Sequence, residues 1–407
     1  MELRPIFSTL LRNKTGAILI ALQVALTLAI VSNALFIINQ RLETAARPSG
    51  VDDESRVFQV GVGSLEESDD PIAQQRRDED AIRAVPGVES VAWTNQVPLG
   101  QSGWGLSLFN SRDQEQPSSW TALYFSPGPL VDTLGLRIVE GRDLIESDID
   151  EIDLETQRSF GRKALVTAAL AKRLSPEESV VGKTVYIGSG EGATAVEVVG
   201  VVERLQTPWA QTDEDGYMAT ISAMRVKQRF SRFAIRAAAG ETDRVQRDVE
   251  AALLAQGSGR LIVQNRSIAE SRVNRYRSDK AMAGTLVTVT LLLLLVTASG
   301  IVGMASLWVN QRRKQIGVRR ALGATRFDIL RYFLTENLMI TGVGVLIGSV
   351  LALALNQLLV SQMELPRLPL GYIGFGVMAL WLLGVLAVYG PARRASLVPP
   401  AVATRAA

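Results

Sequence analysis

The stretch Asn310–Ile340, "NQRRKQIGVRRALGATRFDILRYFLTENLMI", decides how this chain is organised. It carries seven Lys and Arg residues from Arg312 to Arg331. An uncharged run, Ala281–Val309, precedes it, and a second apolar run overlaps its end. Apolar runs of about 18 residues or more predict membrane-spanning helices, and basic residues collect in short cytoplasmic loops. The stretch therefore predicts a cytoplasmic loop between two membrane spans.

Four apolar runs predict the fold class, an α-helical membrane protein with four transmembrane helices. Gly16–Ile38 carries no charge, and at about 1.5 Å per residue it can cross a hydrocarbon core of about 30 Å. It exceeds the apolar part of a cleaved signal peptide, so we predict an uncleaved anchor. The predicted transmembrane helices are residues 16–40, 276–309, 334–360 and 370–390.

Charge is segregated between the segments that these helices separate. Residues 42–275 hold 36 Asp and Glu against 26 Lys and Arg, a net charge of −10. The segments 1–15, 310–336 and 390–407 together hold 13 Lys and Arg against 3 Asp and Glu, a net charge of +10. The positive-inside rule therefore places the basic segments in the cytoplasm. The acidic outer segment would repel phosphate, so no nucleic-acid partner is predicted.

This rule predicts the topology of the whole chain, with both termini inside. The predicted cytoplasmic parts are the amino terminus (1–15), the basic loop (310–333) and the tail (391–407). The predicted outer parts are a large domain (41–275) and a short turn (361–369).

The large outer segment predicts a mixed α and β domain with an insertion. A strand, a helix and a strand follow one another near both of its ends, beginning with "RVFQVGVG" and "RFAIRAA". Short apolar runs indicate strands, and Pro86-Gly87 and Gly257 mark breaks between elements. We predict a first subdomain from 41–119 and 222–275, and an inserted subdomain from 120–221. The insertion holds a predicted helix "LVTAALAKRL" and the strands "KTVYIG" and "TAVEVVGVV".

The composition argues against enzymatic and metal-binding functions. The chain has no Cys and no His, which removes thiol nucleophiles, thiolate ligands and the commonest general base at neutral pH. We therefore predict no catalytic residue, no metal site and no cofactor in this chain. The interiors of the predicted spans carry no Asp, Glu, Lys, Arg or His, which disfavours an ion-coupled carrier. Gln23, Asn33 and Asn356 are predicted to bond across helices.

Two glycine-containing stretches resemble nucleotide-binding motifs but lack their context. "GKT" at Gly182–Thr184 has Glu177 where a phosphate-binding loop needs its first glycine. "GSGEGA" at Gly188–Ala193 has dinucleotide-type spacing, but the strand "TAVEVVGVV" follows it. A pyrophosphate binds at a helix N-terminus, so we interpret both stretches as turns.

The basic loop has the local signals of two helices joined by a sharp turn. Arg312–Leu322 is compatible with a short helix, and Gly323 follows it at a position typical of a helix end. "TRFD" at Thr325–Asp328 has the spacing of a capping box, with Asp in the fourth position. It predicts a helix that merges into the third span and that first has an apolar face formed by Phe327, Leu330, Phe333 and Leu334. Two interpretations remain open from these residues. The arginines either fix the topology and contact anionic headgroups, or form a shaped docking surface.

The stretch "RRKQIGVRRALGATRFDILRYFL" resembles the signature loop of permease subunits in the MacB and FtsX-like group of ABC transporters. "VEGRDL", "LVTAALAKRLSPEESVVGKTV" and "VEVVGVVERL" resemble the periplasmic core domain of that group, and "PARRASLVPPAVATR" resembles its closing segment. The order of one span, a large outer domain and three spans also agrees. The resemblance covers essentially the whole chain.

The resemblance implies a type VII permease in the bacterial inner membrane, with a large periplasmic domain. It implies two copies of a separate cytoplasmic ATPase, which would bind ATP and Mg²⁺, and a second permease of the same or another sequence. It also implies membrane lipids as partners, with a periplasmic adaptor and an outer-membrane channel as further ones. The implied ATPase-docking residues are Arg312, Arg313, Gln315, Ile316, Gly317, Arg319, Arg320, Ala321, Leu322, Gly323 and Ala324.

The chain departs from the family pattern at two positions. Gln315 stands where the family has Glu, and Thr404 stands where it has Leu. A neutral Gln315 would suit a heterodimer with a second permease. The leading hypothesis is the export or extraction of peptides, antibiotics or lipid-linked molecules from the periplasm, with lipoprotein release as a variant. The alternative is an FtsX-like transmembrane scaffold that activates a cell-wall hydrolase.

Overall fold

The computed structural model describes residues 14–65, 69–154, 156, 159–211, 214–363 and 366–399. It divides into two compact units. The helical unit comprises Met1–Ala45 with Ser278–Ala407, and the large domain comprises Ala46–Arg277. Most of the predicted amino-terminal segment 1–15, and the predicted tail beyond residue 399, lie outside the described residues.

Helices and strands have the following bounds in the described residues. The helices are α1 (Lys14–Ala45), α2 (Pro71–Arg83), α3 (Leu130–Leu134), α4 (Ala168–Leu174), α5 (Thr242–Leu254), α6 (Ile268–Arg275), α7 (Arg277–Gln311), α8 (Arg313–Ala321), α9 (Arg326–Met363) and α10 (Leu370–Ser396). The strands are β1 (Val57–Ser64), β2 (Val88–Trp93), β3 (Gly105–Phe109), β4 (Ser119–Phe125), β5 (Ile138–Gly141), β6 (Asp150–Ile152), β7 (Lys163–Thr167), β8 (Thr184–Ile187), β9 (Thr194–Val202), β10 (Ala219–Ser222), β11 (Met224–Val226), β12 (Ser231–Ala237) and β13 (Arg260–Ser267).

The four candidate membrane spans predicted from the sequence are confirmed as α1, α7, α9 and α10, by length and apolar composition. All four helices are longer than the predicted spans, and two of them differ most at one end. α9 begins at Arg326, because the helix predicted to start at "TRFD" continues without a break into the span predicted from residue 334. α10 continues past Pro391 to Ser396. The spans therefore extend as helices beyond their apolar cores.

α1 is the central helix of the helical unit and packs closely against α9. Gly344 and Gly348 of α9 lie four residues apart, so they share one face of the helix. A Cβ atom on Gly344 would lie 2.7 Å from the Ala21 carbonyl oxygen, and one on Gly348 would lie 2.8 Å from that of Ala25. The two backbones can approach this closely because neither glycine carries a side chain, as in small-residue interfaces of membrane helices.

Polar side chains inside the helical unit form hydrogen bonds mainly with other groups of that unit. The bond across helices that the sequence predicted for Asn33 is among them. The Asn33 Nδ2 donates to the Ala352 carbonyl of α9 at 3.0 Å, across the α1–α9 contact. Thr27 and Thr297 join α1 to α7 through their hydroxyl oxygens at 2.8 Å. The prediction for Asn356 was wrong, because its Oδ1 accepts from the Leu368 N–H in the α9–α10 connection. Gln23 lies beside Gly300 of α7.

The large domain contains three sheets in the described residues, and the order of the chain makes one of them discontinuous. The smallest consists of β6 and β11, which pair in parallel. A four-stranded antiparallel sheet has the order β13-β1-β12-β2, so it draws strands from both ends of the domain. α2 and α5 pack on it, with Ile82, Val245 and Val249 buried in its core. A seven-stranded mixed sheet, with the order β5-β9-β7-β10-β4-β3-β8, comes from the middle of the domain.

The division between the four-stranded and the seven-stranded sheet differs from the predicted boundary at residue 120. β3 (Gly105–Phe109) pairs with β4 and β8, so it belongs to the seven-stranded sheet although it precedes residue 120. The predicted helix "LVTAALAKRL" begins as β7, and only Ala168–Leu174 is helical. Leu165 and Val166 are buried in β7, where pairing with β9 and β10 overrides their helical pattern.

The two glycine-rich stretches are turns, as interpreted from the sequence. Gly188–Ala193 connects β8 to β9, which pair as an antiparallel hairpin. Gly182 has φ +80 and precedes β8, where its N–H donates to the Val198 carbonyl at 2.8 Å. Neither stretch leads into the N-terminus of an α-helix, so neither has the geometry of a phosphate-binding loop.

Asp148 is a buried carboxylate that ties the loop after β5 to the seven-stranded sheet. It accepts hydrogen bonds from Arg142 Nη1 at 2.6 Å and from the Ile145 N–H at 3.1 Å, and Lys163 Nζ lies 3.2 Å away. The Arg142 hydrogen bond is the main cause that holds the pKa of Asp148 well below its usual range. The carboxylate is therefore charged in the folded domain.

Asp148→Asn is expected to destabilise the large domain by about 2 to 3 kcal/mol above pH 5, because it removes charged hydrogen bonds. Because the pKa of Asp148 is lower in the folded state, its charged carboxylate adds stability above the unfolded pKa of about 4. This stability is lost as the pH falls below that value. The substituted domain should therefore show a weaker loss of stability in acid than the wild type. Hydrogen exchange of the β7 and β9 amides in the full chain measures this effect.

Asp80→Asn is the matched control for this prediction. Asp80 bonds Arg83 on the surface of α2, with most of its side chain exposed. Exposed ion pairs contribute about 0 to 1 kcal/mol, so this substitution should leave exchange nearly unchanged. Equal effects of the two substitutions would contradict the role assigned to Asp148.

Candidate functional site

The connection between α7 and α9, residues 310–333, is here called the basic elbow. α7 ends at Gln311, and α8 follows as a short helix over Arg313–Ala321. Gly323 then adopts φ +98, the left-handed conformation that glycine adopts most easily. The Gly323 N–H donates to the Arg320 carbonyl at 3.2 Å, and the Ala324 N–H donates to that of Arg319 at 3.0 Å. This pair of hydrogen bonds is a Schellman motif, which fixes the turn after α8.

The start of α9 has the capping box that the sequence predicted. The Thr325 hydroxyl accepts from the Asp328 N–H at 3.2 Å, and the Asp328 carboxylate accepts from the Thr325 N–H at 2.9 Å. Each side chain thus satisfies an N–H group that has no partner within the helix. The turn between α8 and α9 is therefore set by local hydrogen bonds at both of its ends.

A buried ion pair holds the beginning of the elbow against α9. Arg312 Nη1 donates to both carboxylate oxygens of Glu336, at 2.9 and 2.8 Å. The two side chains are 9% and 1% exposed, so the pair is almost completely removed from solvent. The Arg312 guanidinium also lies over the Trp308 ring, 6.0 Å from its centre. Each charge of the pair stabilises the other, because a buried charge without a counter-charge is strongly unfavourable.

The inner face of α8 packs into the core of the helical unit. Ile316 and Gly317 are buried, and Ile316 joins a cluster with Ile329 and Phe333 of α9. Ala395 and Val398, at the end of α10, belong to the same cluster. α8 is therefore a packed element at one end of the bundle, and its orientation relative to α9 is defined by side-chain contacts.

The outer face of the elbow carries three exposed apolar side chains, Val318, Leu322 and Phe327, here called the apolar trio. They are 48%, 83% and 67% exposed. Arg319 is also exposed, and its guanidinium stacks on the Tyr332 ring at 4.9 Å. Exposed apolar groups with polar and charged neighbours are typical of protein interaction sites.

The eleven residues that the resemblance implied for docking divide into two groups in the structure. Arg312, Ile316 and Gly317 are buried, and they hold the elbow in place. The others are exposed or half-buried: Arg313, Gln315, Arg319, Arg320, Ala321, Leu322, Gly323 and Ala324.

Sequence reasoning missed several residues of the elbow. Glu336 was placed only at the edge of a span, and Val318 was not considered. Phe327 was assigned to the apolar face of α9 with Phe333, but it points away from the core. Ile329 is the buried residue of that turn, and at about 100° per residue Phe327 lies on the other side of the helix. The signal available in the sequence was Leu322, a large apolar residue next to the glycine that ends the helix.

The fold and the elbow define a class, a membrane protein with four spans and a large domain between the first two. Residues 287–400 match the FtsX-like permease C-terminal domain. The macrolide export ATP-binding/permease protein MacB of Chromobacterium violaceum is 27% identical over 273 residues, which cover 65% of this chain and 40% of that protein. Its carboxy-terminal part is thus an FtsX-like permease domain, and the chain as a whole is similar to MacB permeases.

Other similar proteins include the pyoverdine export ATP-binding/permease protein PvdT of Pseudomonas syringae pv. tomato, 34% identical over 143 residues, covering 35% of this chain and 21% of that protein. Among solved structures, the periplasmic region of MacB from Actinobacillus actinomycetemcomitans aligns with 13% identity and a TM-score of 0.32, over 55% of this chain and 94% of that one. The chain matches about two fifths of the length of its MacB relatives.

Proposed function

We propose that this chain is the permease subunit of a transporter in which a cytoplasmic ATPase drives movement of a periplasmic large domain. The movement would export or extract substrates that are already in the periplasm, such as peptides, antibiotics or lipid-linked molecules. The single observation that carries the proposal is the packed basic elbow with its exposed apolar trio. It offers a folded surface on which a partner can act.

Chain connectivity supports a mechanical route from the elbow to the large domain. α7 runs without interruption from Arg277, directly after the large domain, to Gln311 at the start of the elbow. The buried Arg312–Glu336 pair fixes the elbow to α9, so a force on α8 would be passed to both helices. Glu336, close to the elbow, is the one ionisable residue that is buried within the described spans, which suits a device that needs no charged path across the bilayer.

The proposed assembly has two copies of the ATPase, which bind ATP and Mg²⁺, and two permeases. Gln315 favours a second permease of different sequence, because the family's Glu is absent at this position. The assembly would lie in the inner membrane, with a periplasmic adaptor and an outer-membrane channel as further partners. The large domain would face the periplasm, in keeping with its acidic balance, and the basic elbow would lie in the cytoplasm.

Leu322→Asp is expected to reduce stimulation of the ATPase strongly without affecting folding. Leu322 is 83% exposed and makes little contact within the chain, so its substitution should not disturb the elbow. Burial of a Leu side chain contributes about 1.5 to 3 kcal/mol, so stimulation should fall by about tenfold or more at limiting ATPase. The measurement is ATP hydrolysis by the co-purifying ABC ATPase, with the chain in proteoliposomes. Charge reversal of Arg319 and Arg320 should have a similar effect.

Leu397→Asp is the matched control, since Leu397 is an exposed leucine at the end of α10, at the same end of the bundle. It should leave stimulation unchanged. Normal stimulation by the Leu322 variant would overturn the docking assignment. Stimulation without substrate transport, together with activation of a cell-wall hydrolase, would favour the signalling alternative.

A further inference from the structure

A small polar notch lies between α8 and α9, next to the buried ion pair. It is lined by Arg312, Gln315, Ile316, Arg319, Ile329, Tyr332 and Phe333, and it is here called the basic notch. Its polar groups are two guanidiniums, one amide and one phenol hydroxyl, and the remaining side chains are apolar. It contains no carboxylate of its own.

The cationic groups of the notch are only partly neutralised. Arg312 is nine-tenths buried, and its Nη2 has no hydrogen-bond partner, although Nη1 bonds Glu336. Arg319 forms no ion pair within the described part of the chain. A buried N–H without an acceptor is unfavourable, so Arg312 Nη2 is a donor that an incoming acceptor would satisfy.

The N-terminus of α8 adds to this positive potential. Its first turn contains no acidic residue, and no side chain caps it. Helix N-termini favour anions. Gln315, in this first turn, is neutral, so it supplies no charge that would balance the notch from within.

The size of the notch restricts what can enter it. Its volume is about 20 Å³, close to the space of one water molecule. One oxygen of a carboxylate fits this space, while the second can remain at the rim beside Arg319. The apolar trio on the same elbow favours a protein partner over a bilayer surface.

We propose that the basic notch receives an acidic side chain of the docking ATPase, with Arg312 Nη2 and Arg319 as its hydrogen-bond donors. This inference rests on the proposed function and adds the chemistry of the partner residue. It makes Gln315 a specificity-determining residue. An ATPase that provides a carboxylate is accepted here, whereas a permease with Glu at this position would repel it.

Gln315→Glu is expected to weaken ATPase binding by about tenfold or more, because the new carboxylate occupies the notch and repels that of the partner. The measurement is the concentration of the co-purifying ATPase that gives half-maximal stimulation in proteoliposomes. Gln311→Glu is the matched control. It makes the same chemical change at an exposed residue that does not line the notch, and it should leave this concentration unchanged.

A double-mutant cycle identifies the partner carboxylate. Each surface Asp and Glu of the ATPase is replaced by its amide and combined with Arg319→Gln in this chain. One of these ATPase variants should bind the wild-type permease about tenfold more weakly. Its binding to the Arg319→Gln permease should be no weaker than that of the wild-type ATPase to the same permease.

The outcomes separate this inference from the proposed function. Unchanged binding by the Gln315 variant, or additive effects for every acidic residue, would overturn the notch while the wild type still stimulates the ATPase. Binding that depends on anionic lipid in the vesicles, rather than on any ATPase carboxylate, would also overturn it. Absence of stimulation by the wild type would instead contradict the proposed function itself.

Discussion

Glu336→Ala is expected to destabilise the helical unit by about 3 to 5 kcal/mol, because it leaves the Arg312 guanidinium buried without its counter-charge. Both carboxylate oxygens accept from Arg312 Nη1, so the substitution removes the pair completely. The elbow should separate from α9, and ATPase stimulation should be lost. The measurements are the thermal unfolding midpoint in detergent and ATP hydrolysis in proteoliposomes.

Two further variants make this prediction specific. Arg331→Ala removes an exposed charge from the same helix and should change the midpoint little. The double substitution of Arg312→Met with Glu336→Leu replaces the pair with apolar side chains. It should restore stability, since such replacements of buried ion pairs are often neutral or stabilising. A double variant that is as unstable as Glu336→Ala would show that the charge itself is not the cause.

The double variant also distinguishes the attachment of the elbow to α9 from the binding of the ATPase. The double variant retains an elbow that is held to α9, so stimulation should partly return if attachment is what matters. The Arg312 donor in the basic notch is lost in this variant, so the ATPase should still bind more weakly than to the wild type.

Gly348→Leu is expected to separate α1 from α9 and to cost about 3 kcal/mol or more in the helical unit. A Cβ at this position would lie 2.8 Å from the Ala25 carbonyl oxygen and 2.9 Å from the Ala25 Cα, both backbone atoms that cannot move away alone. Overpacking typically costs about 1 to 3 kcal/mol, and a leucine adds three more carbons at a backbone contact. The measurement is thermal unfolding in detergent, with cross-linking between α1 and α9 as a second measurement.

Gly342 provides the matched control on the same helix. A Cβ on Gly342 would meet no atom within 4 Å. Gly342→Leu should therefore be tolerated, and it should gain up to about 1 kcal/mol from the better helix propensity of leucine. Similar losses from both substitutions would show that the Gly348 contact does not hold the two helices together.

Local patterns in the sequence were sufficient for several features of this fold. Uninterrupted apolar runs of suitable length predicted the four candidate spans, because in a bilayer the backbone must satisfy its own hydrogen bonds. The Thr325–Asp328 capping box and the Gly323 turn were also predicted, since both depend on neighbouring residues alone. The two glycine-rich turns of the large domain were recognised for the same reason.

Contacts between distant parts of the chain could not be read in this way. The pairing of Arg312 with Glu336 joins two helices, and nothing in the loop indicates which of its arginines will be buried. β3 was assigned to the wrong subdomain, because strand pairing depends on partners far along the chain. Phe327 was placed on the wrong face, because the core of α9 is defined by what packs against it.

The sequence by itself therefore determined the number of spans, the basic segment between the second and third, and the turn that folds it. Hydrophobicity and short-range hydrogen bonding decide these features, and both are properties of adjacent residues. Only the tertiary structure decided which side chains of the elbow are buried and which form the apolar trio and the basic notch. Burial depends on the neighbours that packing brings together, and these come from α8, α9 and α10.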